Sequence, residues 1–302
     1  MKPLHSLLGT DQLTTAQIES ILALARRMDP RRAKQLLRGK RVVLLFYEPS
    51  TRTRTSFEFA AKALGATTTL IAASSSSVEK GESLIDTGWT VTALGADVIV
   101  MRHPNSGAPY LLSRYIPTSI VNAGDGMHQH PSQALLDALT ITNHKKKLTG
   151  LRVVIVGDVF HSRVARSNAH LLSKFGAETI FCGPPDLVPD VAALIAPGVT
   201  ACHDLNAALR HADVVMSLRV QKERLGGREL GLEEYVEKYQ INCERMKLAK
   251  PDAILMHPGP IIRGSELTSE VADGPQSVVC EQVANGVKIR MAILATVMGA
   301  SR

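Results

Sequence analysis

From residue 41 onward the chain alternates short β-branched apolar runs with stretches whose apolar positions recur at helical spacing. That alternation is the signature of right-handed βαβ units, so it predicts an α/β fold of doubly wound parallel sheets with helices on both faces. In the first half the runs predict strands over 42–46, 67–71, 97–101 and 119–122, each followed by a helical pattern; in the second half they predict strands over 152–156, 179–181, 213–217 and 253–256. Ahead of them, Thr14-x-x-Gln17 has the form of a capping box opening a helix that carries Ile18, Ile21, Leu22 and Leu24. The stretch 281–298 is a long helical pattern with Val283, Val287, Ile289, Ala292 and Ile293, and a helix so late in the chain could pack on either half.

A length of 302 residues divides this pattern into two α/β units of ordinary size. The seam falls near 143–150, where Lys145-Lys146-Lys147 and Gly150 separate a helix from the next strand, and such a charge run reads as a solvated linker. Only 4% of residues are aromatic against 45% hydrophobic, so aliphatic packing supplies the core and little surface is left for stacking bases. Nucleic acid is a weak partner on that ground. The net charge of +7 favours anionic ligands without identifying one. Cys182, Cys202, Cys243 and Cys280 are widely spaced, which fits reduced thiols and a cytoplasmic location rather than a zinc knuckle or a disulfide framework. The N-terminal pattern is no signal peptide, and no apolar run approaches the roughly 20 residues a bilayer requires, so no membrane is implied.

Candidate chemistry begins at Phe46-Tyr47-Glu48-Pro49-Ser50-Thr51-Arg52-Thr53-Arg54, where a strand runs into hydroxyls and guanidiniums and then a helix. Unpaired N–H groups at a helix start, the helix dipole, three hydroxyls and an arginine fork together suit a phosphate. The alternative is an ordinary Ser/Thr cap with surface arginines, but the interleaving exceeds what a cap requires. Neither G-x-x-x-x-G-K-[ST] nor G-x-G-x-x-G follows any predicted strand, which removes support for nucleotide or NAD binding. At 157–163 an arginine, Arg163, stands where a dinucleotide site would want a close glycine, and that position should grip an anion.

Further polar clusters stand at strand ends or in loops. They are Ser74 to Ser77 with Lys80-Gly81-Glu82-Ser83; Met101-Arg102-His103-Pro104; Asn122-Ala123-Gly124-Asp125-Gly126 leading to His128-Gln129-His130-Pro131-Ser132-Gln133; Ser217-Leu218-Arg219-Val220-Gln221-Lys222-Glu223-Arg224; and His257-Pro258-Gly259-Pro260. Arg219 and Gln221 alternate with the period of an extended segment, so both can face one side, although a solvated basic loop would read the same way. His128 and His130 have the spacing of a metal pair, but no further ligands join them in the sequence.

Taken in order, STRTR at 50–54, SSVEKGES at 76–83, MRHP at 101–104, HPSQ at 130–133, RVQKER at 219–224 and HPGP at 257–260 resemble the aspartate carbamoyltransferase catalytic chain over nearly the whole length. The resemblance implies transfer of a carbamoyl group from carbamoyl phosphate to the amino group of L-aspartate, the committed step of pyrimidine synthesis, with no metal and no organic cofactor. It implies two doubly wound domains joined by interdomain helices. The carbamoyl phosphate domain would be 1–135 plus 282–302, and the aspartate domain 136–281. It further implies a homotrimer with shared active sites, and leaves open regulatory chains or a dihydroorotase as partners.

By that similarity Ser50, Thr51, Arg52 and Thr53 hold the phosphate, Thr53, Arg102 and His130 donate to the carbamoyl oxygen, and Gln133 holds the carbamoyl nitrogen. Arg163, Arg219 and Gln221, with Gly259 and Pro260, take the aspartate, while Ser76 and Lys80 reach in from the neighbouring subunit. Glu48 corresponds to a glutamate that bridges the domains on closure, with Arg163 and Arg224 as partners. One departure is Ile261-Ile262 after HPGP, where the family carries a polar residue before the arginine. Two other readings remain. Ornithine as acceptor would need an acidic partner for its α-ammonium and different late loops, and a non-catalytic homologue would not need the intact motifs.

Overall fold

Both groups of apolar runs form parallel sheets, in a computed structural model that describes residues 4–32, 35–72, 81–220 and 231–300. Strands of a parallel sheet are covered on both faces and need unbroken aliphatic runs. RVVLLF in β1 (Arg41–Phe46) and RVVIV in β5 (Arg152–Val156) supply them, and each is buried after its first residue. The first sheet has the order β2-β1-β3-β4, with β2 at Thr67–Ala72, β3 at Val98–His103 and β4 at Ser119–Asp125. The second has the order β7-β6-β5-β8-β9, with β6 at Glu178–Cys182, β7 at Val199–Cys202, β8 at Val214–Ser217 and β9 at Ile254–Met256.

The eight predicted strands are present, and a ninth, β7, escaped the pattern. Its sequence is VTAC and only Val199 is buried, so a four-residue edge strand leaves no apolar run to read. Three strands, β3, β8 and β9, begin one residue later than predicted, and ahead of two of them stands an aspartate with the same contacts. The carboxylates of Asp97 and Asp213 accept the N–H groups of Arg41 and Arg152, each at 2.9 Å, and Lys40 and Lys250 neutralise them at 2.8 and 2.7 Å. The backbone N–H of each aspartate also donates to the carbonyl of the same arginine, at 3.0 and 2.9 Å, so Asp97 and Asp213 tie down the entries of β1 and β5 through main chain and side chain together.

Eleven helices surround the sheets among the described residues: α1 Thr15–Arg26, α2 Thr51–Ala63, α3 Leu84–Ala93, α4 Ala108–Tyr115, α5 Pro131–Lys145, α6 Arg163–Ser173, α7 Leu205–Leu209, α8 Leu232–Tyr239, α9 Cys243–Met246, α10 Ser269–Ala272 and α11 Val279–Val297. The Thr14–Gln17 capping box is formed in full. The chain divides into two compact units, Met1–Leu136 with Ala284–Arg302, and Asp137–Val283, so the division runs through α5 and α11. One apolar cluster of the first unit gathers Val43, Leu45, Ile99, Met101 and Ile120 with Leu112 of α4; that of the second gathers Val154, Val156, Val215 and Leu255 with Tyr235 of α8.

Of the lysine run read as a solvated linker, Lys146 and Lys147 are exposed, but Lys145 is not. Lys145 ends α5 with a side chain only 5% exposed, its ammonium 2.7 Å from the Asp252 carboxylate.

Candidate active site

In a doubly wound sheet, ligands gather outside the carboxyl ends of the strands where the strand order reverses. In the first sheet the chain runs from β1 out to β2 and returns past β1 to β3, so the reversal lies between β1 and β3. In the second it runs from β5 out through β6 and β7 and returns to β8, so the reversal lies between β5 and β8. Apart from the motif at 76–83, which follows β2 in the chain, the motif loops leave the strands on either side of these two points and from the next strand along, β4 in one sheet and β9 in the other.

In the first unit Phe46 pairs in register with Arg102, and the Tyr47 N–H donates to the Arg102 carbonyl at 2.9 Å. The two chains then diverge. Arg102 folds across the gap: its Nε donates to Glu48 Oε2 at 3.1 Å and its NH1 to Ser50 Oγ at 3.4 Å, the Arg102 and Glu48 side chains being 16% and 29% exposed. Glu48 is thus held by Arg102 within its own unit. Ser50 occupies the N-cap of α2 but makes no side-chain cap hydrogen bond, so the cap reading of this serine does not describe it. The N–H groups of the first turn have no intrahelical acceptors, and with the dipole behind them they favour an anion there. Thr53 is buried in that turn, while Thr51 and Arg52 are exposed.

Next along the sheet, β4 leads to His130 and Gln133, both buried. Pro131 opens α5, a position where a missing N–H is tolerated. His130 Nδ1 meets Ser132 Oγ at 3.4 Å, and the Gln133 N–H donates to the His130 carbonyl at 2.9 Å. His128, the other half of the H-x-H pair, gives its Nδ1 to Asp125 at 3.0 Å, and among the described residues no group of three His, Cys, Asp or Glu could hold a metal ion.

Asp125, which the sequence places in a strand-end cluster without a role of its own, anchors this loop. It is fully buried, and its Oδ1 accepts Asn122 Nδ2 and the Gln129 N–H, each at 2.9 Å, while its Oδ2 accepts the Gly107 N–H at 2.7 Å as well as His128. His103 supports the other side. Burial holds its ring below the ordinary imidazole range, its Nδ1 accepts the Asn105 N–H at 2.9 Å, and the ring lies 4.6 Å from that of Tyr47. Because Nδ1 accepts, the ring's proton sits on Nε2.

In the second unit the turn after β5 needs its glycine. Gly157 has φ +124°, and a Cβ there would lie 3.1 Å from the Leu218 carbonyl, because the Leu218 N–H donates to Val156 at 2.8 Å and draws the two strand ends together. Arg163 opens α6, half-buried, behind a Ser162 cap that accepts the Ala165 N–H at 3.1 Å. Arg219 is exposed between buried Leu218 and Val220, as the extended alternation predicts. Asp158 is buried at the same turn, and its carboxylate is taken up by His161, through the backbone N–H at 3.2 Å and the ring Nδ1 at 2.8 Å.

After β9, His257 is buried, Gly259 takes φ +74° and the Gly259–Pro260 bond is cis. The Ile261-Ile262 departure has a simple outcome: Ile261 packs against the unit's apolar core, and Ile262 contributes a backbone N–H to Glu266 at 2.6 Å. Ser76, Lys80, Gln221 and Arg224 lie outside the described residues. Asp137, Glu266 and Gln282 are buried polar supports of the second unit that sequence reasoning also passed over.

A helix start suited to an anion at one switch point, and Arg163 and Arg219 in the loops at the other, fit the class of α/β enzymes that bind anionic ligands at the carboxyl ends of parallel sheets. The comparisons give the class a family. The family model described as aspartate/ornithine carbamoyltransferase, carbamoyl-P binding domain, matches residues 5–143, and that of the Asp/Orn binding domain matches residues 149–297. The chain belongs to the aspartate/ornithine carbamoyltransferase family. It is 65% identical to the aspartate carbamoyltransferase catalytic subunit of Koribacter versatilis over 97% of each chain. Among solved structures it resembles aspartate transcarbamoylase from Trypanosoma cruzi in complex with carbamoyl aspartate and phosphate, with a TM-score of 0.88 and 32% identity over 98% of this chain and 96% of that one. It resembles ornithine carbamoyltransferase from Pyrococcus furiosus almost equally, with a TM-score of 0.87 and 31% identity over 98% of each chain. The fold alone therefore does not choose the acceptor.

Proposed function

We propose that this chain is the catalytic subunit of an aspartate carbamoyltransferase, forming N-carbamoyl-L-aspartate and phosphate from carbamoyl phosphate and L-aspartate in the cytoplasmic synthesis of pyrimidines. The observation that carries the reading is the Glu48–Arg102–Ser50 cluster beside the uncapped start of α2, a site for a phosphorylated donor. Attack by the amine on the carbamoyl carbon forms a tetrahedral oxyanion, whose collapse expels phosphate. Thr53, Arg102 and His130 are the oxyanion donors in this reading, Ser50 to Thr53 hold the phosphate, and Gln133 holds the carbamoyl nitrogen. Phosphate leaves readily and can accept the amine proton, so no nucleophilic side chain is required, and much of the acceleration is positioning.

The choice of acceptor rests on charge. Arg163 and Arg219 suit a dicarboxylate, whereas the α-ammonium of ornithine calls for a free acid, and the buried acid at this turn, Asp158, already accepts from His161. The 65% identical relative carries the aspartate name as well. Gln221, Gly259 and Pro260 complete the aspartate grip.

The assembly is a homotrimer in this reading, with Ser76 and Lys80 entering the neighbour's site and Glu48 exchanging its partner for Arg163 or Arg224 when the donor arrives. Consistent with it, Phe59 of α2, Leu70 of the edge strand β2, and Trp89 and Leu94 of α3 and its end are exposed large apolar side chains of the first unit. Incubating the purified protein with ¹³C-carbamoyl phosphate and aspartate tests the activity: carbamoyl aspartate and phosphate should appear one for one, and donor hydrolysis without carbamoyl aspartate refutes it. Mixing inactive Lys80→Ala and Arg52→Ala chains tests the shared site, since mixed trimers should regain activity and no recovery removes Lys80 from the neighbour's site.

A further inference from the structure

The turn after β9 is built on a buried carboxylate that none of the steps above uses. His257 and Glu266 are both fully excluded from solvent. His257 Nδ1 accepts the Gly259 N–H at 2.8 Å, so the ring carries its proton on Nε2 and donates it to Glu266 Oε1 at 3.2 Å. The same oxygen accepts the Ile262 N–H at 2.6 Å. One atom thus holds both ends of the turn, the ring at its start and the backbone just past its second proline. From the opposite side, the His257 N–H donates to Gln282 Oε1 at 3.0 Å, and Gln282 Nε2 donates to Asp137 Oδ1 at 2.7 Å.

Glu266 Oε2 has no hydrogen-bond partner among the described residues, and neither has the Tyr235 hydroxyl. Burying a carboxylate without a cation is costly, and a well-packed apolar residue would serve stability as well. An apolar residue could not, however, accept the two donors that fix the turn.

We propose that Glu266 is a positioning residue for the acceptor step: through His257 and the Ile262 N–H it sets the backbone of 257–260, the turn assigned above to the aspartate. The inference rests on that acceptor assignment, and the wild-type assay with aspartate is run first, so that absence of turnover there counts against the assignment and not against Glu266.

The test compares Glu266→Gln, Glu266→Asp and Glu266→Ala, with each substrate varied at saturation of the other. Glutamine can place its amide oxygen where Oε1 lies, and its nitrogen then takes the Oε2 position, where no donor opposes it. Its aspartate KM should stay within about threefold of wild type. Aspartate at 266 keeps the charge but is one methylene short, and alanine lacks the acceptor altogether. Losing hydrogen bonds to a charged group should raise the aspartate KM about ten- to hundredfold in both, while the carbamoyl phosphate KM stays within about twofold. An unchanged aspartate KM in the Asp and Ala variants overturns the proposal. So does a parallel rise in both KM values, which marks general damage, or a Gln variant as impaired as the others. If the alanine chain does not fold, the Gln and Asp variants decide between the same outcomes.

Discussion

Asp125→Asn exchanges one atom of the residue that anchors the His130 loop. In the native site two donors converge on each carboxylate oxygen: Asn122 Nδ2 and the Gln129 N–H on Oδ1, the Gly107 N–H and His128 Nδ1 on Oδ2. An asparagine keeps one oxygen, and the better orientation leaves it on the Oδ1 side. Its NH₂ then faces His128 and Gly107. The His128 ring can answer by moving its proton to Nε2 and accepting at Nδ1, but the Gly107 N–H cannot change sign. One buried backbone donor is left unpaired against another donor, which costs about 1–3 kcal/mol, and the charge-assisted part of the remaining bonds adds to that. We expect a loss of about 2–4 kcal/mol in total, and since 1 kcal/mol lowers the Tm of domains of this size by roughly 2–4 °C, a fall of about 5–15 °C by calorimetry. Because Gln129 immediately precedes His130, kcat/KM for carbamoyl phosphate should fall at least about tenfold as the proposed oxyanion donor loses its seat. A variant that melts within about 2 °C of wild type and keeps its kcat/KM refutes the anchoring argument.

Three further outcomes follow from the same geometry. Arg102→Met removes a proposed oxyanion donor and should lower kcat about a hundred- to a thousandfold, measured by phosphate release, with circular dichroism unchanged. Asp137→Ala strips the acceptor from Gln282 (2.7 Å) and Asn168 (2.8 Å), two amides in a buried network, and should destabilise the second unit by about 2–5 kcal/mol in urea unfolding, whereas Asp137→Asn, which keeps one oxygen, should lose less. The pH dependence of stability should carry a His103 contribution: burial holds its folded pKa below the unfolded value, the unfolded chain binds more protons in the window beneath about pH 6.5, and stability is therefore lost as pH falls through that window. His103→Gln should flatten that part of the profile in pH-resolved thermal melts.

The parts legible in the sequence are those whose signal is local. RVVLLF and RVVIV announce central parallel strands because both faces must be apolar, and the interleaved hydroxyls and arginines of 50–54 stand out because a cap needs fewer. VTAC at β7 gives no such signal, since an edge strand with one buried side chain resembles a loop. Supports that act across the chain were hidden for a different reason. Asp137 and Gln282 are hydrogen-bonded at a separation of 145 residues, and nothing near either names the other. A lone carboxylate in the apolar helical stretch 134–139 was the available clue. Lys145 was misread because its run of three lysines looks solvated until Asp252 is found beside it. Asp125 and Glu266 look like loop polar residues in sequence, and only the structure shows the donors that converge on them.

The central claim is that the anion site at the β1–β3 switch point serves carbamoyl transfer to a dicarboxylic acceptor. The most direct measurement is a competition: carbamoyl phosphate with aspartate and ornithine at equal concentration, products resolved by mass spectrometry. Carbamoyl aspartate should accumulate with citrulline absent, and Arg219→Ala should depress it by raising the aspartate KM. Citrulline as the major product, or no carbamoylated amino acid at all, contradicts the account.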